Sequence, residues 1–425
     1  MSSDRLFTPH FFVMCGFTFT VFLSAFQLLP TAPFHVLDLG GSTFDSGLFL
    51  GFLTYASAFS APLTGAIADR YGRRRILITS SIALAIFSIG YAVIPSYRVM
   101  LVLVIIHGVF WSGLLSASAA HMTGLLPESR RAEGIGYWGL STVAAMAVAP
   151  TIGLWIYKRG WLWLCIVGAA LNLVMAIIAW NLHDPFDEPK AREKRRAEPV
   201  RARRGGLLEW RVLIVSISLF LYSFGYGGIT SFTALYADAN GVTPKSIYLT
   251  ALAVVILCIR PFAGRLGDRF GYRRVFIPCL VLISLGLALL SVGGTRVWMI
   301  ASAVVFGAGF GTAYPVYVGY VMQGIHEERR GAAFGAILAA FDTGIGTGST
   351  SMGWLIQHFG FAPAFGIAAL LSALALPYFL AVDRFFTERA AAAATQNPKR
   401  APSSSFRDGP ADVGSPKKGE VITPL

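Results

Sequence analysis

Charge is what this sequence has least of. Of its 425 residues only 13% are charged, where soluble domains carry roughly a quarter. A soluble protein of this length needs far more charged surface. A disordered chain would be polar, and 55% of this one is hydrophobic. Cysteine is also scarce. Cys15, Cys165, Cys258 and Cys279 sit in apolar stretches without a CxxC pair, so a disulfide scaffold is excluded and they read as small core residues. There is no Walker loop, no GxSxG and no HExxH. Gly134-Ile-Gly136-Tyr-Trp-Gly139 satisfies GxGxxG, but no strand precedes it, so a dinucleotide site is not expected. His107 and His121 are fourteen residues apart, too far for a helical metal pair. No cofactor, no metal and no enzymatic activity are expected.

What is abundant is long apolar runs. They recur at about 9–31, 45–67, 76–94, 99–126, 134–157 and 161–181, then at 210–236, 245–267, 275–292, 296–323, 332–356 and 361–382. Each reaches the roughly 20 residues that cross a bilayer. In lipid every backbone amide needs an internal partner, so the runs are expected to be helices. The first is too long for a signal-peptide core and no cleavage site follows it, which makes it a retained helix. The expected class is an all-α polytopic membrane protein with twelve spans.

Net charge is +13, from 35 Lys+Arg against 22 Asp+Glu. In a soluble chain that excess would suggest nucleic acid. Here the basic residues sit in short loops, so the lipid bilayer is the expected partner and nucleic acid is not. One face collects Arg5, Arg70, Arg73–Arg75, Arg130, Arg131, Arg269, Arg273, Arg274, Arg329 and Arg330. The other has only Arg98, Lys158, Arg159, Lys245 and Arg296. Basic loops stay inside, so the first face and both termini are expected to be cytoplasmic. The stretch 182–209 is polar and charged and reads as a cytoplasmic linker between a half at 1–181 and a half at 210–382. The tail, 383–425, is rich in Ala, Pro and Ser and is expected to be disordered.

The halves repeat at an offset of 199 residues. Gly65, Asp69, Arg70 and Gly72 fall on Gly264, Asp268, Arg269 and Gly271; Gly108 falls on Gly307, Arg131 on Arg330, and Gly136 on Gly335. A duplicated six-helix unit is a transporter architecture. The segment from Gly65 through Asp69, Arg70, Gly72 and Arg73 to Arg75, echoed by Gly264, Asp268, Arg269, Gly271, Arg273 and Arg274, resembles the loop 2–3 signature of the major facilitator superfamily. The resemblance covers about residues 9–382. Arg260-Pro261 and Phe341-Asp342-Thr343-Gly344 look like the bacterial drug, sugar and metallophore efflux branch.

The resemblance implies twelve helices in two six-helix pseudo-repeats, alternating access, and a latch at the loop signature. Physically, Gly65 permits close approach of another helix, and Asp69 can face the positive end of a neighbouring helix. A second pattern, Gly136-x8-Ala145-x3-Ala149-Pro150-x2-Gly153-Leu154, is similar to the antiporter motif of exporters, with Ala in place of two glycines and Leu of the last. Small residues every fourth position make a smooth contact face, and Pro150 adds a kink. The family often carries an arginine in the fourth span, at the position held here by Val104.

Two charges lie inside spans. Asp342 is about 15 Å into a core of about 30 Å. A carboxylate there is costly unless it faces a cavity or partner, and desolvation favours its neutral form. It reads as a proton-coupling or substrate-charge group, or as a structural carboxylate. Arg260 has Ala61 as its repeat partner, so its charge is no part of the duplicated scaffold. It pairs with an anion or snorkels to the surface. By the resemblance spans 1, 4, 7 and 10 line the cavity, which nominates Gln27, His107, Tyr226 and Tyr314. The expected function is proton-coupled export of a small organic molecule by an integral protein of a bacterial inner membrane. Uptake symport, facilitated diffusion and, less in keeping with the short loops, a transport-derived sensor are the alternatives.

Overall fold

The computed structural model describes residues 6–127, 130–182, 210–322, 325 and 330–384. The expected linker beyond residue 182, and the expected tail beyond residue 384, lie outside the described residues. All twelve apolar segments are helical, and most bounds fall within a few residues of those read from hydropathy; the seventh, read from 210, divides into a short helix, Trp210–Val215, and a span that begins at Ile217. Spans 1 to 6 are Pro9–Leu28, Thr43–Tyr71, Arg73–Val93, Tyr97–Leu125, Arg131–Tyr157 and Trp161–Asn181. Spans 7 to 11 are Ile217–Ala239, Ile247–Phe270, Tyr272–Val292, Arg296–Met322 and Arg330–Phe359. Span 12 begins as Phe361–Ala373, turns at Leu374 and resumes over 375–384. The turn falls just before Pro377, whose ring and missing N–H disrupt the preceding turn of helix.

Local chemistry sets the boundaries. Span 1 stops before Pro30, and the Thr31 hydroxyl donates to the free carbonyls of Gln27 at 2.8 Å and Leu28 at 2.9 Å. A short helix, Ala32–Asp38, follows. Span 2 opens on a capping box, in which the Asp45 amide donates to the Ser42 hydroxyl at 3.1 Å and the Ser42 amide donates to the Asp45 carboxylate at 2.8 Å. Spans 2 and 3 are joined by a single residue, Gly72, at φ 99°, and spans 8 and 9 by Gly271 at φ 87°. The two signature stretches are therefore helix ends with one-residue corners. Only glycine adopts such a corner without strain. Gly72→Val and Gly271→Val are each expected to destabilise the protein by about 1–3 kcal/mol, read as a lower melting temperature in detergent. Melting like the parent would show that the corner bears no strain.

Large apolar side chains cover the outside, among them Ile86, Val102, Ile177 and Leu370, all well exposed. In water such a surface would be strongly unfavourable; in hydrocarbon it is the solvated state. Ten helices have the length and hydropathy of a membrane span. The other two, spans 7 and 11, are 23 and 30 residues long, and their Gly, Ser and Thr content dilutes their hydropathy. These two are interior helices. They pack on each other, and span 11 also packs along span 2. Small residues rather than greasy ones let helices meet in a membrane.

Within the first six spans the main pairs are 2 with 4, 3 with 6, and 1 with 5, and the last six repeat them as 8 with 10, 9 with 12, and 7 with 11; the most extensive contact of the last six, 9 with 10, has only a smaller counterpart in 3 with 4. Between the two sets, span 2 meets span 11 and span 5 meets span 8. These contacts close the end opposite the basic loops. A Cβ on Gly353 would lie 2.7 Å from the Thr43 carbonyl oxygen. The Phe44 amide donates to Gln357 at 3.1 Å. Thr151 bonds Ser246 at 2.9 Å and Thr250 at 3.0 Å. Toward the basic face the same helices part, and a Cβ on Gly65, Gly136, Gly264 or Gly335 would meet no atom within 4 Å.

Candidate functional site

The two signature corners brace helix ends. Arg73 donates to the Ala120 carbonyl, somewhat more than a turn before the end of span 4, and Arg74 to the Trp180 carbonyl at the end of span 6. The Trp180 carbonyl is among the last of its helix, where the helix dipole favours a cation. In the second half Arg273 instead pairs with the Asp383 carboxylate at 2.7 Å, and Tyr320 donates to that same carboxylate. Asp268 is exposed and accepts from Tyr272. Arg70 and Arg269 are exposed, as membrane-surface anchors would be. The side chain of Asp69 lies outside the described residues. No helix closes over Gly65, so a latch there would form only in another conformation of the carrier. If the latch forms in that conformation, Asp69→Asn is expected to weaken transport several-fold at unchanged expression, by the roughly 0.3–2 kcal/mol of a charge–dipole contact. Parental transport by that variant removes the latch.

The span 5 pattern works inside its own half. A Cβ on Gly153 would lie 2.6 Å from the Gln27 carbonyl oxygen of span 1, and Ala145, Ala149 and Pro150 are buried. In the mirrored contact a Cβ on Gly344 would lie 2.6 Å from the Phe220 carbonyl oxygen, and Gly348 abuts Phe224, both of span 7. The contact to the opposite half comes from Thr151, on another face of the same helix.

The expected cavity residues separate into two groups. Gln27 and His107 line a small closed pocket of about 20 Å³ inside the first half, with Ser88, Tyr91 and Asn172. Tyr91 and His107 share a hydrogen bond of 3.0 Å, and Asn172 donates to Ser88 at 3.1 Å. Val104 is fully buried in the same span as His107. At offset 199, Ser88, Tyr91 and His107 become Leu287, Leu290 and Phe306, so the second half fills these positions with apolar side chains.

Tyr226 and Tyr314 do converge with the two intramembrane charges. Asp342, midway along span 11, is half-buried, and the Ser57 hydroxyl of span 2 lies beside it. Tyr314 stands close enough to feel both Asp342 and Arg260. Arg260 is half-buried on span 8 and is surrounded by the phenols of Tyr314, Tyr226 and Tyr222. Its guanidinium reaches toward Gly139 of span 5, 4.0 Å from a Cβ built there. Aromatic rings form one wall: Tyr226 stacks on Phe310 at 4.3 Å, and Tyr314 meets Phe341 at 5.1 Å. Just beyond Asp342, Tyr55 and Thr347 share a hydrogen bond of 2.7 Å between spans 2 and 11.

Sequence reasoning did not find Ser57, Phe310 or Tyr222. Tyr222 lies one helical turn before Tyr226, a spacing that could have nominated it. Ser57 carries no local signal, because its role arises only where span 2 crosses span 11. No metal-binding cluster of His, Cys, Asp or Glu occurs among the described residues.

A duplicated bundle with opposite charges at the contact of its two sets, closed at one end and parted at the other, defines a membrane transporter. The chain belongs to the Major Facilitator Superfamily, whose family profile matches residues 13–260 and, again, 215–413. It is 27% identical over 373 residues to the uncharacterized MFS-type transporter YhhS of Escherichia coli (strain K12), covering 85% of this chain and 89% of that one. Its fold is similar to that of the nucleoside transporter NupG, with a TM-score of 0.69 at 17% identity over 88% of this chain and 99% of NupG. It is also similar to a D-xylose-proton symporter, with a TM-score of 0.70 at 15% identity over 87% and 96% of the two chains. The chain is a transporter and not an enzyme.

Proposed function

We propose that this transporter exports a small organic molecule from the cytoplasm in exchange for protons, and that Asp342 carries the proton. The observation that supports this is the place of Asp342. Asp38, Asp45, Glu133, Asp238, Asp268 and Asp383 all sit at or near helix ends. Asp342 alone among the described acidic side chains lies midway along a span, at the contact between the two sets. A charged carboxylate is costly at that depth, and protonation removes the cost. Protonation therefore biases any rearrangement that buries the carboxylate more fully.

The two six-helix halves would rock about this contact. The parted face is the one with the basic loops, which the positive-inside rule assigns to the cytoplasm, so the site opens toward a cytoplasmic substrate. The span 5 pattern favours antiport. With Val104 where the family often has an arginine, Arg260 is the guanidinium available to the cavity. The sign of flux is the test: inside-out vesicles energised to an acidic interior should accumulate substrate. Proton-driven accumulation in right-side-out vesicles would make the chain an importer.

A further inference from the structure

We infer that the substrate is a small zwitterion, its anionic group on Arg260 and its cationic group on Asp342, with an apolar body between them. This rests on the reading of Asp342 as the exchangeable-proton site. The two charges act on the same phenol, Tyr314, yet form no ion pair with each other. No carboxylate lies within ion-pair distance of Arg260 among the described residues. Its electrostatic neighbours are three phenols, and that of Asp342 is the Ser57 hydroxyl. Tyr314 feels both.

A guanidinium offers five donors and no acceptor, and a carboxylate only accepts. Each therefore wants a counter-charge that the protein leaves out. Burying either charge unpaired is unfavourable. A simple anion would satisfy Arg260 but be repelled by Asp342, a simple cation the reverse, and a neutral molecule would satisfy neither. A molecule carrying both charges satisfies both. Gly139 across the interface leaves room beside the guanidinium. The wall of Tyr226, Phe310, Tyr314 and Phe341 suits an apolar or aromatic body.

The arrangement also explains exchange. A proton on Asp342 cancels the counter-charge for the cationic end, so protonation weakens the substrate's hold and leaves it resting on Arg260. The titratable group facing Asp342 is Tyr314 from span 10, and Arg260 from span 8 acts on the same phenol. Span 2 supplies Ser57.

The test is binding to the full chain in nanodiscs, with ω-amino carboxylates of increasing length and the matching monocarboxylates and monoamines as probes. At pH ~8, where both ends of the probes are charged, one chain length should bind at least about tenfold tighter than either matched single-charge probe. Arg260→Gln should erase its advantage over the monoamine, and Asp342→Asn its advantage over the monocarboxylate. Arg260→Lys should keep part of the binding, which separates loss of charge from loss of fold. Monocarboxylates binding as tightly as any zwitterion, or no member binding, overturns the proposal. The exchange reading has its own readout. Zwitterion binding should weaken at pH ~5.5; preferred binding that ignores pH supports the substrate class and removes Asp342 from proton exchange.

Discussion

Asp342→Asn is expected to abolish proton-driven accumulation while leaving measurable substrate exchange. Asparagine has nearly the same shape and is always neutral, so it can still meet the Ser57 hydroxyl that lies beside Asp342. It stands in for the protonated acid but cannot release the proton. One pH unit is worth 1.36 kcal/mol, so with one proton per cycle it supports a concentration ratio of about tenfold. In the variant that ratio should fall to equality. The paired measurements are accumulation under an imposed pH gradient and counterflow of labelled substrate without one, in the same proteoliposomes. Gradient-driven accumulation at the parental ratio would show that the proton travels elsewhere. Loss of both activities together, even at substrate concentrations that fill the weakened site, would mark Asp342 as a structural group instead.

Gly348→Leu is expected to have the largest effect on stability. A Cβ at Gly348 would already lie 2.6 Å from the Phe224 backbone carbon, and span 7 can yield only by moving as a whole. Gly344 abuts Phe220, and a Cβ built on Gly227 would lie 2.8 Å from the Ser349 amide nitrogen, so spans 7 and 11 interlock through glycines from both sides. Overpacking a tight contact costs about 1–3 kcal/mol and occasionally more. Three additional side-chain carbons between two backbones belong at or above the top of that range. Gly153→Leu meets the Gln27 backbone in the same manner and should collapse transport by forcing span 5 from span 1. Gly136→Ala and Gly335→Ala, with open space around both positions, are the matched controls and should melt like the parent. A Gly348→Leu variant with an unchanged melting temperature would show that the helices separate freely.

How much of this was legible beforehand follows from how local each signal is. A bilayer demands helices of a given length, so apolar runs alone located all twelve spans. The corner glycines were legible because the repeat displays Gly72 and Gly271 at the same place, and each is the one-residue turn between two helices. Asp342 was legible because a carboxylate within an apolar run is expensive wherever the helix points. What surrounds such a residue was not. Whether Gln27 and His107 face the cavity depends on the rotation of spans 1 and 4 about their axes, and the packing turns them into a closed pocket of the first half. The same rotations carry Tyr226 and Tyr314 to Arg260. Arg73 and Arg74 look like lipid anchors until spans 4 and 6 bring backbone carbonyls to them. Hydropathy and repeat spacing act along the chain and determined the number, length and order of the helices. Which polar groups meet is decided by contacts between helices far apart in sequence, and only the tertiary structure brought Ser57 to Asp342 and set Arg260 apart from every carboxylate described.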